Sequence, residues 1–126
     1  VLKLLWVGCG GFAGAVARYL VSGWAQQAAD TRLPVGTFAV NAAGCFAVGA
    51  LMTMVEERGL LSPEARWLLI VGFVGSFTTF STFGYETLAL AREGSWLAAC
   101  GNAAAHVVLG LAAVFLGAAA VRWAGP

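Results

Sequence analysis

Four stretches of this chain are long and apolar enough to cross hydrocarbon. They run from about Leu4 to Trp24, Val35 to Val55, Ala65 to Leu90 and Trp96 to Val121, each near or above the ~20 residues a spanning helix needs. The connectors, Gln26 to Pro34, Glu56 to Pro63 and Arg92 to Ser95, leave no room for a water-soluble domain. A chain in lipid must satisfy every backbone polar group internally, so the expected fold is all-α: one four-span membrane domain covering residues 1–126. With 60% hydrophobic and 10% charged residues, there is too little polar surface for a water-facing shell. A net charge of +1 gives no electrostatic footprint for nucleic acid. The first run is not followed by a small-residue cleavage site and a soluble domain, so it reads as a span rather than a signal peptide. Trp6, Trp24, Trp67, Trp96 and Trp123 all fall near span ends, where amphipathic rings sit at the headgroup level.

Charge does not choose an orientation. Lys3, Arg58, Arg66 and Arg122 would lie on one side and Arg18, Arg32 and Arg92 on the other, so the positive-inside bias is nearly absent. Two readings follow. One is a weak bias resolved by the insertion machinery. The other is insertion both ways, with opposed copies pairing about an in-plane twofold axis as inverted repeats do within single chains. Glycines are placed for close helix contact: Gly10 and Gly14 on the first span, Gly44 and Gly49 on the second, Gly110 and Gly117 on the fourth. Four helices enclose little by themselves, so an oligomer is expected. Cys9, Cys45 and Cys100 sit singly in apolar runs and read as small hydrophobes.

The third run contains Gly75-Ser76-Phe77-Thr78-Thr79-Phe80-Ser81-Thr82-Phe83-Gly84. Five hydroxyls and three phenyl rings in ten residues at membrane depth mark a functional site. Were the span helical throughout, Phe80 and Phe83 would share a face, as would Thr79 and Thr82. Ring edges carry positive potential and hydroxyl protons are donors, so both suit an uncharged anion path. The clustered poor helix formers predict a break, whose freed carbonyls are suitable cation ligands; a plain packed kink is the alternative. The run is also longer than a straight helix requires. Asn41 on the second span is either a pore amide or an interhelical bond. On the fourth, Asn102, His106 and Gly110 make one stripe, with His106 either a neutral pore donor or a packed side chain. Arg18 either snorkels to the interface or lines a vestibule that attracts anions. Glu86 pairs with an arginine, holds a backbone donor or carries a proton.

Three ordered motifs carry a resemblance that covers essentially the whole chain: Gly10-Gly11-Phe12-Ala13-Gly14-Ala15-Val16-Ala17-Arg18-Tyr19, Gly36 to Gly44 with Asn41, and Gly72 to Phe83 followed by Glu86. The chain resembles the Fluc (CrcB) fluoride channels of microbes. The resemblance implies an antiparallel, dual-topology homodimer in the cell inner (plasma) membrane. Its two pores would passively export cytoplasmic fluoride. Phe80 and Phe83 would be the aromatic box that touches fluoride, Asn41 the pore amide, and Ser81 and Thr82 part of a polar track, with Thr79 and His106 beside them. Gly75 and Thr78 would give backbone carbonyls to a central structural sodium ion. Arg18 would sit near the vestibule and Glu86 would have a gating or structural role. The fourth span departs from the pattern, with Asn102 and His106 where members often carry Tyr and Ser. Fluoride is small and strongly hydrated; amide, hydroxyl and ring-edge groups can replace its shell, whereas a fixed buried cation would hold it too tightly.

Rival readings are weaker. A small dual-topology multidrug/proton exchanger needs a carboxylate within the first span, and this one has none. A dinucleotide enzyme would use Val1 to Val7 as a strand and Gly8-Cys9-Gly10-Gly11-Phe12-Ala13 as its fingerprint, with Asp30 downstream, but no second strand precedes Asp30. No serine, cysteine or carboxylate pair has a catalytic setting, so no enzymatic activity is expected. A purely structural bundle would not need the polar third span.

Overall fold

The computed structural model describes residues 1–125. Four helices, or helical runs, are long and apolar enough to cross a membrane: Leu2–Ala29, Val35–Glu56, Pro63–Arg92 and Trp96–Trp123. They exceed the sequence-derived spans by a few residues because connector residues continue the helices past the hydrocarbon. This is an all-α, multi-pass membrane protein. The stretch weighed as a first strand is helical from Leu2 onward.

The first two helices, α1 (Leu2–Ala29) and α2 (Val35–Glu56), are continuous. The third run is not. It opens with α3 (Pro63–Arg66), where Ser62 caps the first turn by accepting from the Ala65 N–H at 3.2 Å and Pro63 stands at a position that needs no donor. Trp67–Val74 then forms a π-helical segment, followed by a single turn, α4 (Gly75–Phe77). After two extended residues the chain resumes as α5 (Phe80–Arg92). The last helix, α6, spans Trp96–Trp123.

Packing divides the molecule into two pairs, α1 against the π segment and α2 against α6. Glycines make both possible. A Cβ on Gly72 would lie 2.7 Å from the Val7 carbonyl and 2.9 Å from the Gly10 Cα, and one on Gly10 or Gly14 would strike the Leu68 or Phe73 backbone. Gly49 and Gly117 do the same for α2 and α6, against Val114 and Phe46. Contacts rise together along α2 and α6, from Phe38 with His106 to Gly49 with Val114. The two helices therefore run in the same direction, as alternate spans should. The α1–α2 connector is stapled by Gln26, whose amide donates to the carbonyls of Thr31 (2.6 Å) and Leu33 (3.0 Å) and accepts from the Gly36 N–H (3.0 Å). At the other membrane face Arg58 donates to the Val121, Arg122 and Gly125 carbonyls, capping the end of α6. There Arg122 also pairs with Glu57.

The interior is thin. Val40 is the only large side chain wholly buried among the described residues, while many Leu, Val and Phe side chains lie on the outside. That is the surface of a protein whose solvent is lipid or a second chain.

Candidate functional site

The third run breaks at Thr78 (φ −86°, ψ 158°) and Thr79 (φ −150°, ψ 110°), both extended. Sequence and packing explain the position. Gly72 and Gly75 lower helix propensity, consecutive β-branched threonines favour extended backbone, and Thr79 restarts the helix as its N-cap. Its Oγ1 accepts from the Thr82 N–H at 3.3 Å. A break at membrane depth must be satisfied from elsewhere, and Asn41 on α2 does so. Its Oδ1 accepts from the Thr79 N–H at 2.7 Å and its Nδ2 donates to the Thr79 carbonyl at 3.0 Å.

The break leaves the last carbonyls of the run, Gly75 to Thr78, without their helical donors, and at two of them the diverted donor can be followed. In an unbroken helix the Thr79 N–H would reach Gly75 and the Thr82 N–H would reach Thr78. Here the first goes to Asn41 and the second to the Thr79 hydroxyl. The carbonyls of Gly75 and Thr78 are thereby freed to accept from another group. Their donor chemistry, neutral backbone oxygen, suits a hard monovalent cation. No cluster of three or more His, Cys, Asp or Glu that could hold a metal exists among the described residues.

Two cavities flank the break. One, about 470 Å³, is lined by Asn41, Thr79, Phe80, Phe83 and His106, with Gly75 and Thr78 in the same wall. Phe80 and Phe83 lie 5.3 Å apart at 51°, and Phe83 lies 4.3 Å from the His106 ring. Phe80 is 81% exposed, so the cavity is open on that side. The other cavity, about 230 Å³, places Arg18 with Thr37, Thr79 and Thr82. Thr79 lines both. Its Oγ1 lies 2.9 Å from Thr82 Oγ1 and 3.4 Å from Ser81 Oγ, making a cluster of three hydroxyls. The Thr79–Thr82 pair therefore arises from the cap and not, as a continuous span would have it, from a shared helical face.

Glu86 joins this region through Thr37, whose hydroxyl donates to Glu86 Oε1 at 2.8 Å. Its Oε2 is buried without a partner among the described residues. Neither an arginine pairing nor a backbone donor holds it; the partner is a hydroxyl. Glu86 also borders a polar opening of about 590 Å³ with Gln26 and Arg32. Glu86 thus links the opening to Thr37 in the wall of the Arg18 cavity, and Thr79 is shared between that cavity and the aromatic one.

On α6, His106 Nδ1 donates to the Asn102 carbonyl at 3.0 Å. In the neutral ring that leaves a lone pair, not a proton, at Nε2, which is buried and unpartnered among the described residues. Neutral His106 therefore meets the cavity as an acceptor and through its ring edge, rather than as the N–H donor weighed from sequence. Asn102 points to Thr87 (Nδ2 to Oγ1, 2.8 Å) and not into the aromatic cavity. Sequence reasoning missed Thr37 and Thr87. Thr37 was findable: it lies one helical turn before Asn41, on the same face. Thr87 carries no comparable signal.

Comparison with known proteins gives a consistent result. The family model described as "CrcB-like protein, Camphor Resistance (CrcB)" matches residues 5–118. A protein of Chloroflexus aurantiacus named "Fluoride-specific ion channel FluC" is 43% identical over 123 residues, 98% of both chains. Its namesake in Acidobacterium capsulatum is 45% identical over 116 residues, covering 92% of this chain and 93% of that one. One in Nitratidesulfovibrio vulgaris is 44% identical over 115 residues, covering 91% and 93%. Nothing in these matches favours a multidrug exchanger, and α1 carries no carboxylate. With nearly its whole length matched in this way, the chain belongs to the CrcB-like family.

Proposed function

We propose that this protein is a fluoride-selective passive ion channel that lets cytoplasmic fluoride leave the cell, with no catalytic step. The observation that carries the reading is the cavity beside the helix break, where Asn41, Thr79, Phe80, Phe83 and His106 stand in an otherwise apolar wall without a fixed charge. Such groups can replace water around a small anion without trapping it. Asn41 has a second Nδ2 proton beyond the one given to Thr79, and the hydroxyl cluster of Thr79, Ser81 and Thr82 can turn a proton toward the ion from Thr79, which lines the cavity. Arg18 attracts anions to the neighbouring cavity, where its charge does not sit in the aromatic cavity itself.

The working unit is an antiparallel, dual-topology homodimer in the cell inner membrane, with two pores. Its support is the exposure of Phe80, the incomplete cavity wall and the nearly even distribution of positive charge between the two faces. A structural sodium ion at the dimer centre fits the freed carbonyls of Gly75 and Thr78, of which Gly75 is exposed on the protomer surface. Such an ion supplies a positive field in a protein with few charges of its own.

Purified protein in liposomes is expected to pass fluoride, read by a fluoride electrode after dissipating the membrane potential, and to exclude chloride. Equal leakage of both halides, or no fluoride flux from well-folded protein, overturns the proposal.

A further inference from the structure

Asn41 does more than face a cavity. Both of its amide heteroatoms are engaged with the backbone of one residue, Thr79, at 2.7 and 3.0 Å. Thr79 is 8% exposed, so neither group has water to turn to. Asn41 is itself held firmly, one residue after the wholly buried Val40 and on the helix packed against α6. The bond from the Thr79 N–H is the one that denies that donor to the Gly75 carbonyl. The Thr79 side chain likewise takes the Thr82 N–H that would otherwise close onto Thr78. The Asn41 clamp therefore determines whether the Gly75 carbonyl is free or consumed by a helix, while the Thr79 cap does the same for Thr78.

We propose that the Asn41–Thr79 clamp is a positioning device that couples a sodium ion at the Gly75 and Thr78 carbonyls to the geometry of the conducting cavity. This rests on the sodium-bound channel reading above. With the clamp closed, Thr78 and Thr79 are extended, the carbonyls are free, and Phe80 and Phe83 stand at the cavity wall. With it open, the Thr79 N–H is a buried orphan whose nearest remedy is the Gly75 carbonyl. Annealing the helix there removes a cation ligand. It also shortens the chain by roughly 3.6 Å over two residues, from strand-like to helical rise, and turns Phe80 and Phe83 about the axis. A cation binding only the broken form must stabilise the clamp, and the clamp must raise cation affinity by the same factor. Asn41 thus acts on the cation site through Thr79 without touching the cation.

The test uses purified full-length protein in detergent, in sodium gluconate or in N-methyl-D-glucamine gluconate of equal ionic strength. Amide hydrogen exchange at Thr79 in the wild type is expected to be about tenfold slower or more with sodium, the factor for one hydrogen bond's worth of coupling. Equal exchange in both media overturns the coupling. The sodium concentration that gives half of the melting-temperature rise is then compared with that of Asn41→Ala, where about a tenfold increase is expected. An Asn41→Ala protein with the wild-type sodium midpoint overturns the coupling and leaves the sodium site standing. A wild type that melts and exchanges identically in both media removes both. If Asn41→Ala does not fold, the wild-type exchange measurement decides alone.

Discussion

Replacing Thr79 with valine separates the hydroxyl's structural role from its role toward an ion. Valine keeps the shape and the preference for the extended backbone that Thr79 adopts (φ −150°, ψ 110°). Both Asn41 bonds go to the Thr79 backbone and survive. What disappears is Oγ1. The first loss is the N-cap of α5, about 1 kcal/mol, and with it the bond that keeps the Thr82 N–H from the Thr78 carbonyl. The Ser81 and Thr82 hydroxyls, at 3.4 and 2.9 Å, lose a partner as well, which at membrane depth adds to that figure. Thr79→Val is therefore expected to fold, with a lowered melting temperature. The second loss falls on transport. Thr79 Oγ1 accepts the Thr82 N–H, and with the Thr82 hydroxyl donating across their 2.9 Å contact the Thr79 proton turns toward an anion in either cavity. A hydrogen bond to a charged group contributes about 1.5–3 kcal/mol, so its removal from the residue that lines both cavities should lower fluoride flux roughly ten- to hundredfold. Thr79→Ser, which keeps the hydroxyl, should recover most of the flux. Efflux from liposomes measured with a fluoride electrode, alongside thermal melts, distinguishes the two effects. Wild-type flux in Thr79→Val would refute the reasoning outright, because the cavity geometry would then work without this donor.

Three further outcomes follow from the same geometry. Phe80→Ile should abolish fluoride efflux while the protein elutes as the wild type does on size exclusion, and unchanged efflux would remove the Phe80 ring from the account. Gly72→Ala places a Cβ 2.7 Å from the Val7 carbonyl, so denaturation in detergent should show a loss of about 1–3 kcal/mol, the usual cost of overpacking; a variant as stable as the wild type would mean that α1 and the π segment are not in close contact. At the membrane face, the Arg122 guanidinium hydrogen bond holds the Glu57 carboxyl below its ordinary value of 4.5, outweighing desolvation, with help from the charges of Arg122 and Arg58. A depressed carboxylate contributes stability that is present above pH 4.5 and fades as pH falls through its folded value. Glu57→Gln should therefore flatten that part of the stability–pH curve, and a curve identical to wild type would show the pair to be inert.

Much of the architecture was legible in the chain. Four apolar runs with short polar connectors admit little besides four spanning helices, because lipid offers the backbone no other partner. The glycines read as close-contact sites do bring α1 onto the π segment and α2 onto α6. The break was expected from poor helix formers clustered around Gly75 to Thr79, and the structure places it at Thr78 and Thr79. The π-helical turns before it were not foreseen, since no side-chain period distinguishes an i→i+5 ladder from an ordinary helix over eight residues.

Residue identities and spacing, read alone, established a polar, aromatic and uncharged patch at membrane depth, because such groups are conspicuous against an apolar background. What each group does depended on partners distant in sequence. The sequence offers Asn41 as a pore donor or a helix-to-helix bond, and folding engages its amide with the Thr79 backbone, 38 residues away. His106 offered two nitrogens, and the Asn102 carbonyl decided which one carries the proton. Glu86 had three readings, and its partner is the Thr37 hydroxyl, 49 residues off. Hydrogen bonds are directional and short-ranged, so the pattern along a chain can supply donors and acceptors but only packing in three dimensions can match them.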